Sequence, residues 1–235
     1  MTDIAVSPAP QTGALPEIRL QAGRHKRLRG GHPWAYSNEV QMNAAAKALP
    51  PGGLVQLVAD NGQKLGIATF NPHPLISARL LTPDPEATID VDFVAGRLAR
   101  ALALREQLFT APFYRLVHAE ADGLPGLIAD RFGDTMVLQV NTAGMEMLTP
   151  TILEALDRIV APTNVVLRND MPVRSLEGLP AHVDVVKGAV DGPIDLLENG
   201  CTFFADPVGG QKTGWFYDPR DNRAFAAALA KDRRV

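Results

Sequence analysis

The chain has 235 residues and is 46% hydrophobic, which is enough for a globular fold of one or two domains with a buried core. Its 23 Lys and Arg residues against 26 Asp and Glu residues give a net charge of -3, which excludes nucleic-acid binding through overall positive charge. A single cysteine, Cys201, excludes an internal disulfide and an all-cysteine zinc site, as is typical of proteins in a reducing cytoplasm.

The N-terminal segment carries no signal for export or membrane insertion. A basic segment followed by an apolar one is missing, and no stretch approaches the ~20 apolar residues of a membrane span. The sequence therefore predicts a cytoplasmic protein without a membrane partner. Residues 1–16, rich in small residues, Pro and Thr, are predicted to be a flexible tail.

Residues 17–82 are predicted to form a small β-rich domain. A short strand starts at Glu17, and a helical turn and a loop follow it. Two apolar segments flank Asn61-Gly62, a dipeptide typical of hairpin turns, and LISARLLT adds a further strand.

The helical turn of this domain is basic and precedes two aromatic residues. Positive charge that can bind phosphate, beside rings that can stack on bases, is the combination expected of an RNA-binding surface. A solvated helical face explains the charges equally well, and both interpretations remain open. The candidate RNA-binding residues are Arg24, Lys26, Arg27, Arg29 and Trp34, with Tyr36 close by.

Residues 83–192 are predicted to form a two-layer α+β domain with a long helix, a three-stranded meander, a helix at Met145–Ile159 and a final strand. The apolar face of the long helix comprises Val94, Leu98, Ala101, Leu102, Leu108 and Phe109. His118, Glu120 and Asp122 alternate along a predicted strand, where they could bind a metal or transfer protons. Structural polar contacts, with Asp130-Arg131 as candidate partners, are the favoured interpretation.

Residues 193–235 are predicted to form a hairpin around Asn199-Gly200, a glycine-rich loop and a helix that Asp218 caps. The buried stripe of that helix would comprise Ala224, Phe225, Ala228 and Leu229. The loop lacks the Gly-Lys adjacency of a phosphate-binding P-loop. Cys201 lies between apolar residues without a basic neighbour, which favours a buried structural thiol over a nucleophile.

Four segments resemble, in order, the PUA-containing class I methyltransferases of the large-subunit ribosomal RNA methyltransferase I type. They are spread along residues 17–235. The segments are RLQAGRHKRLRGGHPWAYSNEV, GIATFNPHPLISARLL, HAEADGLPGLIADRFGD and ENGCTFFADPVGGQKTGWFYDPRDNR.

The resemblance implies an α+β multidomain protein that uses S-adenosylmethionine (SAM) to methylate carbon 5 of a cytosine in 23S rRNA. Residues 17–82 would be a PUA-like barrel, 83–192 a central α+β domain, and 193–235 the start of a truncated Rossmann-like methyltransferase domain. The implied donor-side residues are Gln211, Lys212, Thr213, Tyr217 and Arg220. The catalytic residues are expected beyond Val235, no metal is implied, and the chain alone is expected to be inactive.

Two other functions fit the same residues. The chain could serve as an RNA-binding adaptor without catalysis, or belong to a PUA-fused methyltransferase that modifies another RNA. A homodimer is an oligomeric state that the sequence leaves open.

Overall fold

The computed structural model describes residues 14–230, so residues 1–13 of the predicted tail (residues 1–16) and the last five residues lie outside the described part. The first unit is a five-stranded sheet with the strand order β1-β3-β4-β5-β2. Its strands are β1 (Glu17–Arg19), β2 (Trp34–Tyr36), β3 (Gly53–Val58), β4 (Lys64–Phe70) and β5 (Ile76–Thr82).

This first sheet curves toward closure. β1 pairs with β3 in parallel and the other pairs are antiparallel. An antiparallel bridge between Leu20 and Val40 joins the chain after β1 to the chain after β2, so the two edges of the strand order meet. The hairpin predicted at Asn61-Gly62 is confirmed as β3–β4, and Gly62 takes the left-handed conformation in its turn.

Two short helices, α1 (His25–Arg29) and α2 (Ala44–Lys47), connect the strands of this unit. Leu28 of α1 and Ala46 of α2 are buried in a core that the sheet supplies with Leu57, Phe70 and other apolar residues. Because α1 contributes only Leu28 to that core, its remaining side chains face outward or sideways.

The second unit is a five-stranded sheet with the order β10-β9-β8-β7-β6. β6–β7–β8 is the predicted three-stranded meander, which is confirmed, and β9 pairs with β8 in parallel. Its strands are β6 (Phe113–His118), β7 (Leu127–Phe132), β8 (Thr135–Val140), β9 (Asn164–Asn169) and β10 (His182–Lys187).

Helices cover one face of this second sheet. α3 (Val91–Leu108) begins at Asp90, whose carboxylate accepts from the Phe93 amide at 2.9 Å. Val94, Leu98 and Ala101 of α3 are buried as predicted, whereas Leu108 is 65% exposed at the end of the helix. The other helices are α4 (Ala143–Met147), α5 (Thr149–Ile159) and α6 (Val173–Leu176).

The C-terminal segment covers the opposite face of the same sheet. The predicted hairpin is β11 (Ile194–Glu198) paired with β12 (Cys201–Ala205), and Asn199 and Gly200 both have positive φ in its turn. Leu196, Ala205 and Tyr217 pack against Val137 and Val166 of the sheet. The two-layer prediction is therefore extended by a third layer.

The last described element, α7 (Arg220–Ala230), corrects two sequence predictions. The helix begins two residues after Asp218, and within residues 14–230 none of its residues is buried. Phe225 and Leu229 are 69% and 67% exposed, so the apolar stripe exists without the burial that was expected of it. Within the described residues, no helix is both long and apolar enough to cross a membrane.

The first two units are tied together by buried contacts. The carboxylate of Glu177, only 4% exposed, accepts from Arg79 at 2.7 Å, from Asn71 at 3.0 Å and from the Ala143 amide at 3.3 Å. Gly144 lies so close to β4 that a Cβ there would come within 3.0 Å of Thr69. Helix α4 and Glu177 of the second unit therefore pack directly against the first sheet.

Candidate nucleic-acid interface

The basic helix α1 presents its charges to solvent. Its one buried side chain, Leu28, fixes the orientation of the helix, which leaves Arg24, Lys26 and Arg29 exposed. Arg29 bonds to Gln63. Within residues 14–230, Arg24 and Lys26 have no side-chain hydrogen bond or ion pair, so their charges are available to a phosphate.

Arg27 differs from its neighbours because its guanidinium is used inside the domain. Nη2 bonds to Glu39 at 2.7 Å and to the Trp34 carbonyl at 3.2 Å, and the group lies 4.7 Å from the ring centre of Tyr36. Arg27, which was predicted to bind phosphate, therefore also holds β2 against α1.

Trp34 links the basic surface to the second unit. Its indole Nε1 donates to Glu120 at 2.7 Å, across 86 positions in sequence, and His32 packs edge-on against its ring at 5.6 Å. The ring is partly exposed, so one part could stack on a base while the indole N–H is already bonded.

A cleft of about 360 Å³ opens beside Glu120. One wall is α3, with Arg97 and Arg100, and the other is the short 3₁₀ turn Ala119–Asp122. Its lining residues are Arg97, Arg100, Ala101, Leu104, Glu120, Ala121, Asp122 and Gly123.

The series His118, Glu120 and Asp122 does not share a strand face, because β6 ends at His118 and the chain turns there. Asp122 accepts two bonds of 2.7 Å from Arg105, and Glu120 accepts from Trp34. Glu120 and Asp122 thus make structural polar contacts, with other partners than the predicted Asp130 and Arg131. Among residues 14–230, no three His, Cys, Asp or Glu side chains are placed to hold a metal ion.

Asp130, proposed as a partner of that series, instead anchors the C-terminal loop. Its buried carboxylate accepts from Arg115 at 2.8 and 3.2 Å and from the Thr213 hydroxyl at 2.7 Å. Thr213 is completely buried, so its hydroxyl holds the loop to β7.

Tyr217 and Arg220 also hold the loop in place. The Tyr217 hydroxyl donates to the Arg131 carbonyl at 2.8 Å, and burial, reinforced by the charge of Asp130, raises the pKa of that phenol. Arg220 bonds to Glu198 at 3.3 Å and to the Phe113 carbonyl, and lies 4.5 Å from the ring centre of Phe109.

Gln211 and Lys212 are the two predicted donor-side residues that are exposed. Lys212 lies at positive φ with its Nζ 4.5 Å from the ring centre of Phe216. The polar groups of Thr213, Tyr217 and Arg220 are bonded within the chain. The described residues of this loop therefore do not form a binding site for SAM by themselves.

Cys201 is exposed at the start of β12, which corrects the expectation of a buried thiol. Strand alternation could not reveal this position, because the outer face of the hairpin is open to solvent. The sequence also gave no sign of Glu177 or of the cleft, since both depend on residues far apart along the chain.

Residues 18–83 match the family model described as a PUA-like domain. Ribosomal RNA large subunit methyltransferase I of Shewanella frigidimarina is 39% identical over 224 residues, which cover 93% of this chain and 56% of that protein. The protein of the same name from Cronobacter sakazakii is 37% identical over 224 residues, with coverage of 92% and 55%. The chain thus spans about half the length of the curated relatives it matches.

Two solved structures share the fold. A protein from Streptococcus mutans described as a candidate SAM-dependent methyltransferase superposes with a TM-score of 0.73 at 17% identity, covering 90% of this chain and 54% of its own. A candidate methyltransferase complexed with SAH gives a TM-score of 0.74 at 18% identity, with coverage of 89% and 53%. Residues 18–83 are therefore similar to PUA-like domains, and nearly the whole chain is similar to about half of the ribosomal RNA large subunit methyltransferases I named above.

Proposed function

We propose that this chain supplies the RNA-recognition part of a SAM-dependent ribosomal RNA methyltransferase. The observation that carries the proposal is the exposed pair Arg24, which caps α1, and Lys26 within it, next to the partly exposed Trp34 in the PUA-like domain. Charges without an internal partner beside a ring with a free face suit a structured RNA with unpaired bases.

The relatives named above support large-subunit ribosomal RNA as the substrate. In line with the resemblance, we take the target to be carbon 5 of a cytosine in 23S rRNA. A cytoplasmic location follows from that substrate. Light scattering on the purified chain distinguishes a monomer from the homodimer that the sequence leaves open.

On the donor side we propose a division of roles within the segment Gln211–Arg220. Gln211 and Lys212 are exposed and would border the methyl donor. Thr213, Tyr217 and Arg220 would position that segment, because their polar groups bond to β7, β6 and Glu198. The chemistry of methyl transfer would be supplied by SAM when it is bound.

The double variant Arg24→Gln, Lys26→Gln tests the RNA-binding proposal. We expect it to bind a fluorescein-labelled fragment of 23S rRNA more weakly than the parent chain in anisotropy titrations. The negative slope of log K against log salt should become shallower by about 0.7 to 1 for each lost phosphate contact. Arg27 is left unchanged because its replacement would also disturb Glu39 and Tyr36.

The matched control is Lys47→Gln, Arg158→Gln, which removes two positive charges from other surfaces, α2 and α5. It should retain the affinity and the salt slope of the parent chain. Equal weakening by both double variants would show that only net charge matters, and would contradict a specific surface at α1. RNA binding without methyl transfer by any longer form of the protein would favour the adaptor function.

A further inference from the structure

Two arginines on α3 line the cleft beside Trp34, and no carboxylate of residues 14–230 forms an ion pair with either of them. Arg97 and Arg100 are one helical turn apart. Arg97 is held by a 2.8 Å bond from Nη2 to the Leu81 carbonyl and lies 4.7 Å from the ring centre of Phe93. Arg100 is exposed, and within residues 14–230 it has no side-chain hydrogen bond or ion pair.

The two acidic residues of the cleft are already engaged elsewhere. Asp122 receives both terminal nitrogens of Arg105, and its Oδ2 also accepts from the His118 amide at 2.7 Å. Glu120 receives the indole N–H of Trp34 and lies 4.0 Å from Arg79. Asp122 thus neutralises Arg105, and Arg79 is paired with Glu177 at 2.7 Å. Arg97 and Arg100 together therefore carry one positive charge more than Glu120 can offset.

The proximity of the two guanidiniums is itself unfavourable. Partial burial, with added repulsion from Arg100, lowers the pKa of Arg97, which nevertheless stays charged because guanidinium groups do not deprotonate in proteins. An anion between the two groups would relieve this repulsion, and a guanidinium can bind two oxygens of one phosphate at once.

The backbone of the cleft is shaped around Arg97. Gly123 has a φ of 74°, and a Cβ there would overlap the Arg97 guanidinium. A residue other than glycine would therefore both strain the turn and displace the arginine. The absence of a side chain at position 123 keeps Arg97 in the wall of the cleft.

We propose that this cleft binds a phosphodiester group of the RNA strand that α1 and Trp34 contact. The inference rests on the proposed RNA-binding function and extends it from the PUA-like domain to the second unit. The cleft adjoins the surface at Trp34, because Glu120 both lines the cleft and accepts a hydrogen bond from Trp34. The cleft, at about 360 Å³, is large enough for a nucleotide.

Arg100→Gln tests the electrostatic part of the proposal. With the same labelled 23S rRNA fragment, we expect weaker binding. The negative slope of log K against log salt should become shallower by about 0.7 to 1, as for one lost phosphate contact. Arg158→Gln removes the same charge from α5 and should leave the slope unchanged. A parental slope in Arg100→Gln would overturn the cleft as a phosphate site.

Chemical footprinting tests the location. In a Cys201→Ser background, Leu104→Cys places a thiol in the cleft, whereas Leu108→Cys places one on the same helix outside the lining residues. Saturating RNA should slow the alkylation of Cys at position 104 several-fold and leave that at position 108 unaffected. Equal alkylation with and without bound RNA at position 104 would overturn the proposal.

The same alkylation experiment with inorganic phosphate or adenosine monophosphate in place of RNA tests whether the cleft binds a small phosphorylated ligand instead. Protection of position 104 by either small molecule, without protection by bound RNA, would assign the cleft to a small phosphorylated ligand and overturn the RNA assignment. If the parent chain binds no RNA at all, the proposed function fails together with this inference. Parental RNA binding with an unprotected cleft overturns the inference alone.

Discussion

Glu198 ends β11, and its side chain is completely buried, yet it carries a charge. Arg223 donates to it at 2.6 and 2.9 Å, Trp215 at 3.2 Å and Arg220 at 3.3 Å. Burial alone would raise the pKa of this carboxyl, but the hydrogen bonds from Arg223 and Trp215 and the charge of Arg223 outweigh it and lower the pKa. One carboxylate thus fastens α7 and the loop before it to the hairpin.

Replacing Glu198 with Gln should lower the free energy of unfolding by about 1–3 kcal/mol, since charged hydrogen bonds to buried groups are lost. A group whose pKa is lowered by folding stabilises the protein above its unfolded pKa of about 4.3, and this contribution is lost as the pH falls through the folded value. Urea unfolding should therefore show a difference between parent and variant that is full at neutral pH and shrinks in acid. Amide exchange should accelerate in β11, β12 and α7.

The control is Glu154→Gln, which removes an exposed i,i+4 partner of Arg158 on α5. It should change the free energy of unfolding by no more than about 0.5 kcal/mol. A Glu198→Gln variant that is as stable as this control would contradict the anchoring role.

Residue types were easier to predict than residue environments. The cations of α1 and the polar groups of the Gln211–Arg220 segment could be identified from the sequence, because the residue type alone determines charge and hydrogen-bonding capacity. Their contacts could not, since Thr213 bonds to Asp130 across 83 positions and Tyr217 to Arg131 across 86. Arg97 and Arg100 are visible as a pair at helical spacing, but their excess charge depends on which arginines neutralise the nearby carboxylates.

At the scale of secondary-structure elements, Gly144 shows how closely helix α4 approaches the first sheet. It lies in α4, and any Cβ at this position would come within 3.0 Å of the Thr69 side chain on β4. Gly144→Ala must therefore push α4 away from the first sheet.

We expect Gly144→Ala to destabilise the protein by about 1–3 kcal/mol, the usual cost of overpacking a buried contact. Gly96→Ala is the matched control, because Gly96 lies in α3 with nothing within 4 Å of the added Cβ. There the better helix propensity of Ala should raise stability by up to about 1 kcal/mol. Thermal and urea unfolding of both variants measure the contrast, and equal effects would contradict the close approach.

Elements with local signals were predicted correctly. The hairpins β3–β4 and β11–β12 form where Asn-Gly dipeptides reverse the chain, because such turns depend on only a few residues. The exposed stripe of α7 was predicted wrongly because amphipathic spacing shows which face is apolar, not whether another element covers it. The parallel pairing of β1 with β3 and of β8 with β9 has no local signal either.

For the molecule as a whole, the C-terminal segment forms one of three layers, with the second sheet in the middle and the helices on its other face. Thr213 and Tyr217 face the sheet and not solvent, so the segment that borders the donor in the proposed function is closed on its inner side.

Isothermal titration calorimetry of the 235-residue chain with SAM should accordingly show no micromolar binding. The reason is that the polar groups of Thr213, Tyr217 and Arg220 are already bonded within the chain. The same preparation should bind the 23S rRNA fragment, which controls for folding. Micromolar affinity for SAM would show that the 235 residues of the chain are sufficient for a donor site.

The bond between Trp34 and Glu120 has a consequence for how an RNA would be selected. It fixes the spacing between α1 and the arginines of α3, and Glu177 fastens the same two units at a second point. A strand that engages α1 would thus meet the cleft at a preset distance, with the second contact made at high effective concentration. The two surfaces together would act as a ruler, favouring RNAs whose backbone passes both points and rejecting those that reach only one.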